Sequence, residues 1–179
     1  MQDASVDAGA PVGAGFGPFG RLLLHLSRAL AIAGGIVFVG LVGMEIVSIV
    51  GRKLFAAPVQ GDVELLQMCA AFASATFFAY CHLARGDVKV DFFTHNLAPH
   101  RIARLDAFGS LLVGVFGALL AWRTAAGAVS LHEAGETSAI LGLPVWLAQA
   151  LMVPSFALLA LAGFYLALHQ WPRNGHEAP

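Results

Sequence analysis

Four stretches of the chain, residues 22–50, 65–83, 102–130 and 144–170, are apolar almost without interruption, and polar side chains collect between them. A helix rises about 1.5 Å per residue, so about 20 apolar residues cover the roughly 30 Å hydrocarbon layer of a bilayer. Each stretch reaches or approaches that length. The pattern therefore predicts an all-α integral membrane protein with four transmembrane helices. A spanning β-barrel is excluded, because lipid-facing strands alternate apolar and polar residues and these runs do not. The expected organisation is a disordered cytoplasmic tail over 1–20, a four-helix domain over 21–171 and a cytoplasmic tail over 172–179.

Composition supports this reading. With 58% hydrophobic and 12% charged residues and a mean hydropathy of +0.75, too few polar side chains remain to clothe a water-soluble globule. Membrane lipid is the expected surroundings, and a net charge of −1 gives no sign of a nucleic-acid partner. Residues 1–20 are rich in Gly, Ala and Pro and contain no Lys or Arg. The apolar run that follows is too long for a signal-peptide core, so the first helix is expected to stay uncleaved.

Basic residues set the orientation. Arg21, Arg28, Arg85, Lys89, Arg101, Arg104 and Arg173 fall on one side, whereas Arg52, Lys53 and Arg123 fall on the other. Both termini are therefore expected in the cytoplasm. Trp146 and Trp171 bracket the last helix at about 37 Å, the separation of two interfacial aromatic belts, and Trp122 is expected at the outer belt.

The connections carry most of the polar chemistry. Gly61-Asp62-Val63-Glu64 places two carboxylates at the start of the second helix, where they suit its exposed amides and dipole; a polar contact with a partner protein is the sharper alternative. In the middle loop, Asp87-Val88-Lys89-Val90-Asp91-Phe92-Phe93 alternates charged and apolar residues, as a segment lying in the interface would. Pro99 permits the third helix to begin, the last loop is acidic through Glu133 and Glu136, and Pro144 suits the first turn of the fourth helix. Glu45 lies about 25 Å above Arg28, and Arg123 about 28 Å above Arg104, so both are expected near the outer boundary. There they snorkel to water, pair with each other, meet another subunit or take part in an ion path. Unpaired at mid-bilayer, such a charge costs about 2.5–3.5 kcal/mol.

Small residues four apart, Ala31 with Gly35, Ala71 with Ala75, Ala75 with Ala79 and Gly114 with Ala118, predict close helix contacts. Pro154 is expected to bend the fourth helix by freeing the carbonyl of Ala150. Cys69 and Cys81 stand about 18 Å apart on one helix, beyond disulfide reach, and are read as packing residues. No nucleotide-binding loop, nucleophile elbow or zinc motif occurs, so no enzymatic reaction and no cofactor are expected. The alternative is an anchor for b-type haem or quinone, since His25, His82 and His169 fall near the cytoplasmic ends of their helices and two facing imidazoles could ligate haem.

Taken in order, Gly51-Arg52, Gly61-Asp62-Val63-Glu64-Leu65, Arg85-Gly86, Val90-Asp91 and Leu141-Gly142-Leu143-Pro144-Val145-Trp146 resemble the small membrane subunit of tripartite ATP-independent periplasmic (TRAP) transporters. The resemblance covers about Arg21 to Trp171 and departs from the family at Asp87-Val88, where a His followed by an aliphatic residue is usual. It implies a bacterial inner-membrane scaffold subunit working beside a large multi-span permease subunit and a periplasmic substrate-binding protein. It also implies secondary, sodium-coupled uptake of organic acids or other carboxylates, with substrate and ion handled by the partners. By the same resemblance, Arg52, Asp62 and Glu64 are polar contacts at the outer face, and Pro144 and Trp146 position the start of the last helix. Lys53 extends the basic patch that would draw an acidic partner.

Overall fold

Long apolar runs fold as helices in lipid, where every backbone amide must be bonded within the chain. The computed structural model describes residues 16–57, 59–84, 86 and 99–171. Among these residues the chain forms α1 (Pro18–Phe55), α2 (Asp62–Leu83), α3 (Pro99–Ala134) and α4 (Val145–Gln170), all long and apolar enough to cross a membrane. The alternating segment 87–93 and the outer parts of both tails lie outside the described residues.

α1 is longer at both ends than the apolar run foretells. It begins at Pro18, a residue whose missing N–H costs nothing in a first turn, and it stops where Ala56 turns left-handed at φ 53°. The Ala57 N–H then donates to the Gly51 carbonyl at 3.2 Å. At 38 and 36 residues, α1 and α3 measure about 57 and 54 Å, so both tilt or project beyond the hydrocarbon layer.

The helices form an open row rather than a closed bundle. α2 and α4 lie at the centre; α1 packs along α2 and touches α4 lightly, and α3 has its backbone close to α4 alone. α1 and α3, at the two edges, do not approach each other. One core cluster joins Phe16 and Leu23 to Leu83, Ala162 and Leu166. A second joins Ala75 and Ala79 of α2 to Phe156 and Leu159 of α4.

Lipid gives helices no hydrophobic drive to associate, so contact depends on close backbone approach. The residues that provide it differ partly from the expected pairs. Gly34, not Gly35, faces α2 against Thr76 and Ala73; Gly114 and Gly117 of α3 meet Gly163 and Ala160 of α4. Ala75 and Ala79 are buried as expected, but Ala71 is exposed. α4 runs on through Pro154, which is exposed.

Two ends of the row can be told apart. The loop end gathers the α1–α2 and α3–α4 connections. At the opposite, terminal end, Phe16 packs edge-on to Tyr165 at 5.5 Å and His169 stacks on Tyr165. There the Gly17 N–H donates to the Tyr165 hydroxyl at 3.1 Å.

Candidate functional site

The polar residues singled out in the sequence converge at the loop end, around the first turn of α2. Asp62 is buried, at 8% exposure. Its Oδ2 accepts from the Ser48 hydroxyl at 2.5 Å and from Arg52 Nη2 at 3.1 Å, and its Oδ1 accepts from the Val63 N–H at 2.8 Å. One carboxylate thus ties the last turns of α1 to the start of α2. The Arg52 side chain is 60% exposed and that of Asp62 11%, so the guanidinium covers the carboxylate while still presenting charge to water. Lys53 is exposed and unpaired among the described residues.

Glu64 reaches the other hairpin. Its Oε1 accepts from the Ile140 N–H at 2.9 Å and its Oε2 from the Leu141 N–H at 3.1 Å. A carboxylate facing two successive amides is a bidentate, charge-assisted arrangement that a neutral side chain of the same size reproduces only in part. Gly61 stands beside it at φ 75°, and a Cβ on Gly61 would lie 2.5 Å from Leu141 Cγ. The strings that begin at Gly61 and at Leu141, about 80 positions apart in sequence, therefore meet in one contact. The turn they share is closed by Ser138, whose N–H donates to the Leu143 carbonyl at 2.8 Å and whose hydroxyl accepts from the Leu143 N–H at 3.2 Å.

Pro144 caps α4 from the position just before the helix, not from within its first turn, and its carbonyl accepts from the Leu147 N–H at 3.2 Å. Trp146 is half-buried, its ring edge-on to His132 at 4.8 Å. The pair closes one end of an apolar cleft of about 430 Å³ between α3 and α4, with Glu133 at the rim.

The structure does not bring Glu45 and Arg123 together. They belong to the two edges of the row, and they also differ in depth. Ser48 faces Asp62 and Gly34 faces Thr76, which places Glu45 beside Leu65, at the loop end. Gly117 faces Ala160 and Gly127 faces Gln149, which places Arg123 beside Pro154, about 12 Å inboard of Trp146. The two charges are thus separated by about 13 Å along the helix axes as well as laterally. The expectation failed because it took Arg28 and Arg104 as a common baseline, whereas the packing sets Arg28 level with the middle of α3. Glu45 is half-buried with Oε1 unbonded, and Arg123 is exposed and unpaired among the described residues.

The histidines do not share one setting: His25 is exposed on α1, His82 is buried on α2, and the His169 ring is engaged in the aromatic cluster with Tyr165 and Phe16. Cys69 is half-buried, and Cys81 is exposed with its sulfur toward Gly86. Sequence reasoning missed Ser48 and the Ile140 and Leu141 amides. Ser48 follows Glu45 by three positions and precedes Arg52 by four, a polar stripe at helical spacing that marks the face turned toward α2. The amides carry no side-chain signal at all.

Comparison with known proteins adds one finding. The family model described as "Tripartite ATP-independent periplasmic transporters, DctQ component" matches residues 41–173, a range that holds the whole loop-end site. No curated protein and no solved structure matches the chain.

Proposed function

The chain belongs to the DctQ-component family of tripartite ATP-independent periplasmic transporters, and from that premise we propose that it is the rigid small subunit that braces a large permease subunit during secondary transport. It is a multi-pass inner-membrane protein. In this reading the large subunit binds and moves the solute, an organic acid or other carboxylate, with sodium as the coupling ion, and a periplasmic binding protein delivers it. Both termini lie in the cytoplasm, so the loop end faces the periplasm. The observation that carries the reading is the clasp: Glu64 and Gly61 pin the α1–α2 hairpin to the α3–α4 turn. A brace needs that fixity and needs no reactive group. The family match gives no support to a haem or quinone anchor.

Arg52 and Lys53, exposed beside the clasp, supply a basic patch for the docked binding protein. Rim charges of this kind act more on association rate than on affinity. Arg123, turned outward from α3 without a partner among the described residues, is the contact offered to the large subunit; intramembrane charges commonly find a partner across such an interface. Reconstitution in proteoliposomes tests the whole reading. The isolated chain should carry no solute, and flux driven by a sodium gradient should appear only when the large subunit and binding protein are added. Flux from the chain alone, or a tightly held chromophore, would refute it.

A further inference from the structure

We propose that the cleft between α3 and α4 at the loop end is a phospholipid site, taking one acyl chain and, above it, a headgroup that bears a primary ammonium. Midway along their seam α3 and α4 meet backbone to backbone through Gly114, Gly117 and Gly163, whereas nearer the loop end Gly127 meets only the Gln149 side chain, and small residues beside it leave the cleft open. Its walls are Ala125, Ala128 and Val129 of α3 and Ala150 and Val153 of α4, and these are apolar throughout. They lie inboard of Trp146, in the zone that the hydrocarbon layer fills, so water is not a suitable occupant: an apolar cavity offers it no hydrogen-bond partners.

Size limits the occupant further. At about 430 Å³, the cleft lies at the small end of the roughly 300–1,000 Å³ of small-molecule pockets and holds far less than three turns of helix, which at about 10–12 Å across and 16 Å long fill more than roughly 1,000 Å³. A single lipid chain meets both limits. The mouth selects the headgroup. Trp146 and His132 meet there edge to face, and Glu133 stands on the rim, exposed and without an ion-pair partner among the described residues. Glu136 follows one turn later, also exposed. The loop-end cations Arg52 and Lys53 are on α1, at the opposite edge of the row. The local charge at the mouth is therefore negative, which disfavours an anionic headgroup and favours a zwitterion whose ammonium can donate to the Glu133 carboxylate.

The test is lipid exchange on the full-length chain in nanodiscs. Protein prepared in a mixture of phosphatidylethanolamine, phosphatidylcholine and phosphatidylglycerol is analysed by native mass spectrometry for retained lipid. One phosphatidylethanolamine should be retained in preference to the other two. Ala150→Phe, which fills the cleft, should abolish retention while helical content and monodispersity persist, and Glu133→Gln should reduce the preference several-fold without abolishing chain binding. Glu133→Lys should shift the preference to phosphatidylglycerol. Equal retention of the three lipids by the unaltered chain, or retention unchanged by Ala150→Phe, would overturn the proposal. So would quantitative crosslinking of Val129→Cys to the large subunit in the assembled transporter with no lipid retained, since the cleft would then be a subunit seam.

Discussion

Gly163 gives the sharpest test of the packing. It is buried in α4 opposite Gly114 of α3, and a methyl group there would lie 2.6 Å from Gly114 Cα, 2.8 Å from the Ser110 carbonyl oxygen, and closer still to the Gly114 nitrogen. Non-bonded carbons settle at about 3.5–4.0 Å, so Gly163→Ala must open the seam by roughly 1 Å. The opposing atoms are all backbone, and no side chain can swing aside. Overpacking of this kind costs about 1–3 kcal/mol, and in lipid no gain in hydrophobic burial offsets it. Taking about 2–4 °C per kcal/mol for a chain of this size, the thermal midpoint in detergent should fall by about 2–12 °C. Gly163→Val should fall further. Gly35→Ala is the control, since nothing lies within 4 Å of the added carbon. Midpoints followed by fluorescence-detected gel filtration decide the matter: equal values for Gly163→Ala and Gly35→Ala would show that α3 and α4 do not meet as described.

Further expectations concern the loop end. Glu64→Gln keeps the shape but offers one acceptor where two amides point, so hydrogen exchange at Ile140 and Leu141 should quicken several-fold while exchange in mid-α2 is unaltered; unchanged exchange at both amides would remove the clasp. Gly61→Ala forces a side chain into left-handed backbone, about 1–2 kcal/mol, and into Leu141 as well. Adding Leu141→Ala should therefore recover part of the loss, and strict additivity in that cycle would deny the contact. Asp62→Ala should lower the midpoint more than Arg52→Ala, because it strips a partner from Ser48 and Arg52 together; the reverse order would contradict the geometry. Reversing both charges in Arg52→Glu with Lys53→Glu should slow uptake by the assembled transporter and flatten its salt dependence. Unaltered uptake with intact salt dependence would exclude the patch as a docking surface.

The four spans were legible because length and apolarity alone mark them. Their arrangement was not, because each helix is apolar nearly all round: Ile36, Val39, Val115 and Phe116 look like Leu23 or Leu159 in sequence, yet the first four face outward and the last two are buried. A helix that is hydrophobic on every side gives no face from which to read its neighbours. Depth failed for a related reason. α1 and α3 are longer than the layer they cross, so counting residues from a flanking Arg does not fix a level, and Glu45 and Arg123 were set opposite each other in error. Asp62, Glu64, Pro144 and Trp146 all stand at the loop end, whereas their partners were hidden, one being a serine inside an apolar run and the others backbone amides.

An open row of four helices should be easily deformed, and its stiffness has to come from somewhere other than a closed core. The contacts at the two ends provide it. At the loop end, Glu64 bonds the α3–α4 turn while Asp62 bonds Ser48 and Arg52 of α1, so three connected segments share the first turn of α2. At the terminal end, Gly17 bonds Tyr165, and Phe16 packs against the same ring, which ties α1 directly to α4. Between these ties α2 and α4 run side by side through Ala75, Ala79, Phe156 and Leu159. Each hairpin is thus held at both ends, and relative sliding of α1–α2 past α3–α4 would have to break polar contacts at both boundaries at once. Elements that move in transport are drawn from the least stable parts of a protein; a row fastened at both boundaries fits the proposed role of a fixed brace instead.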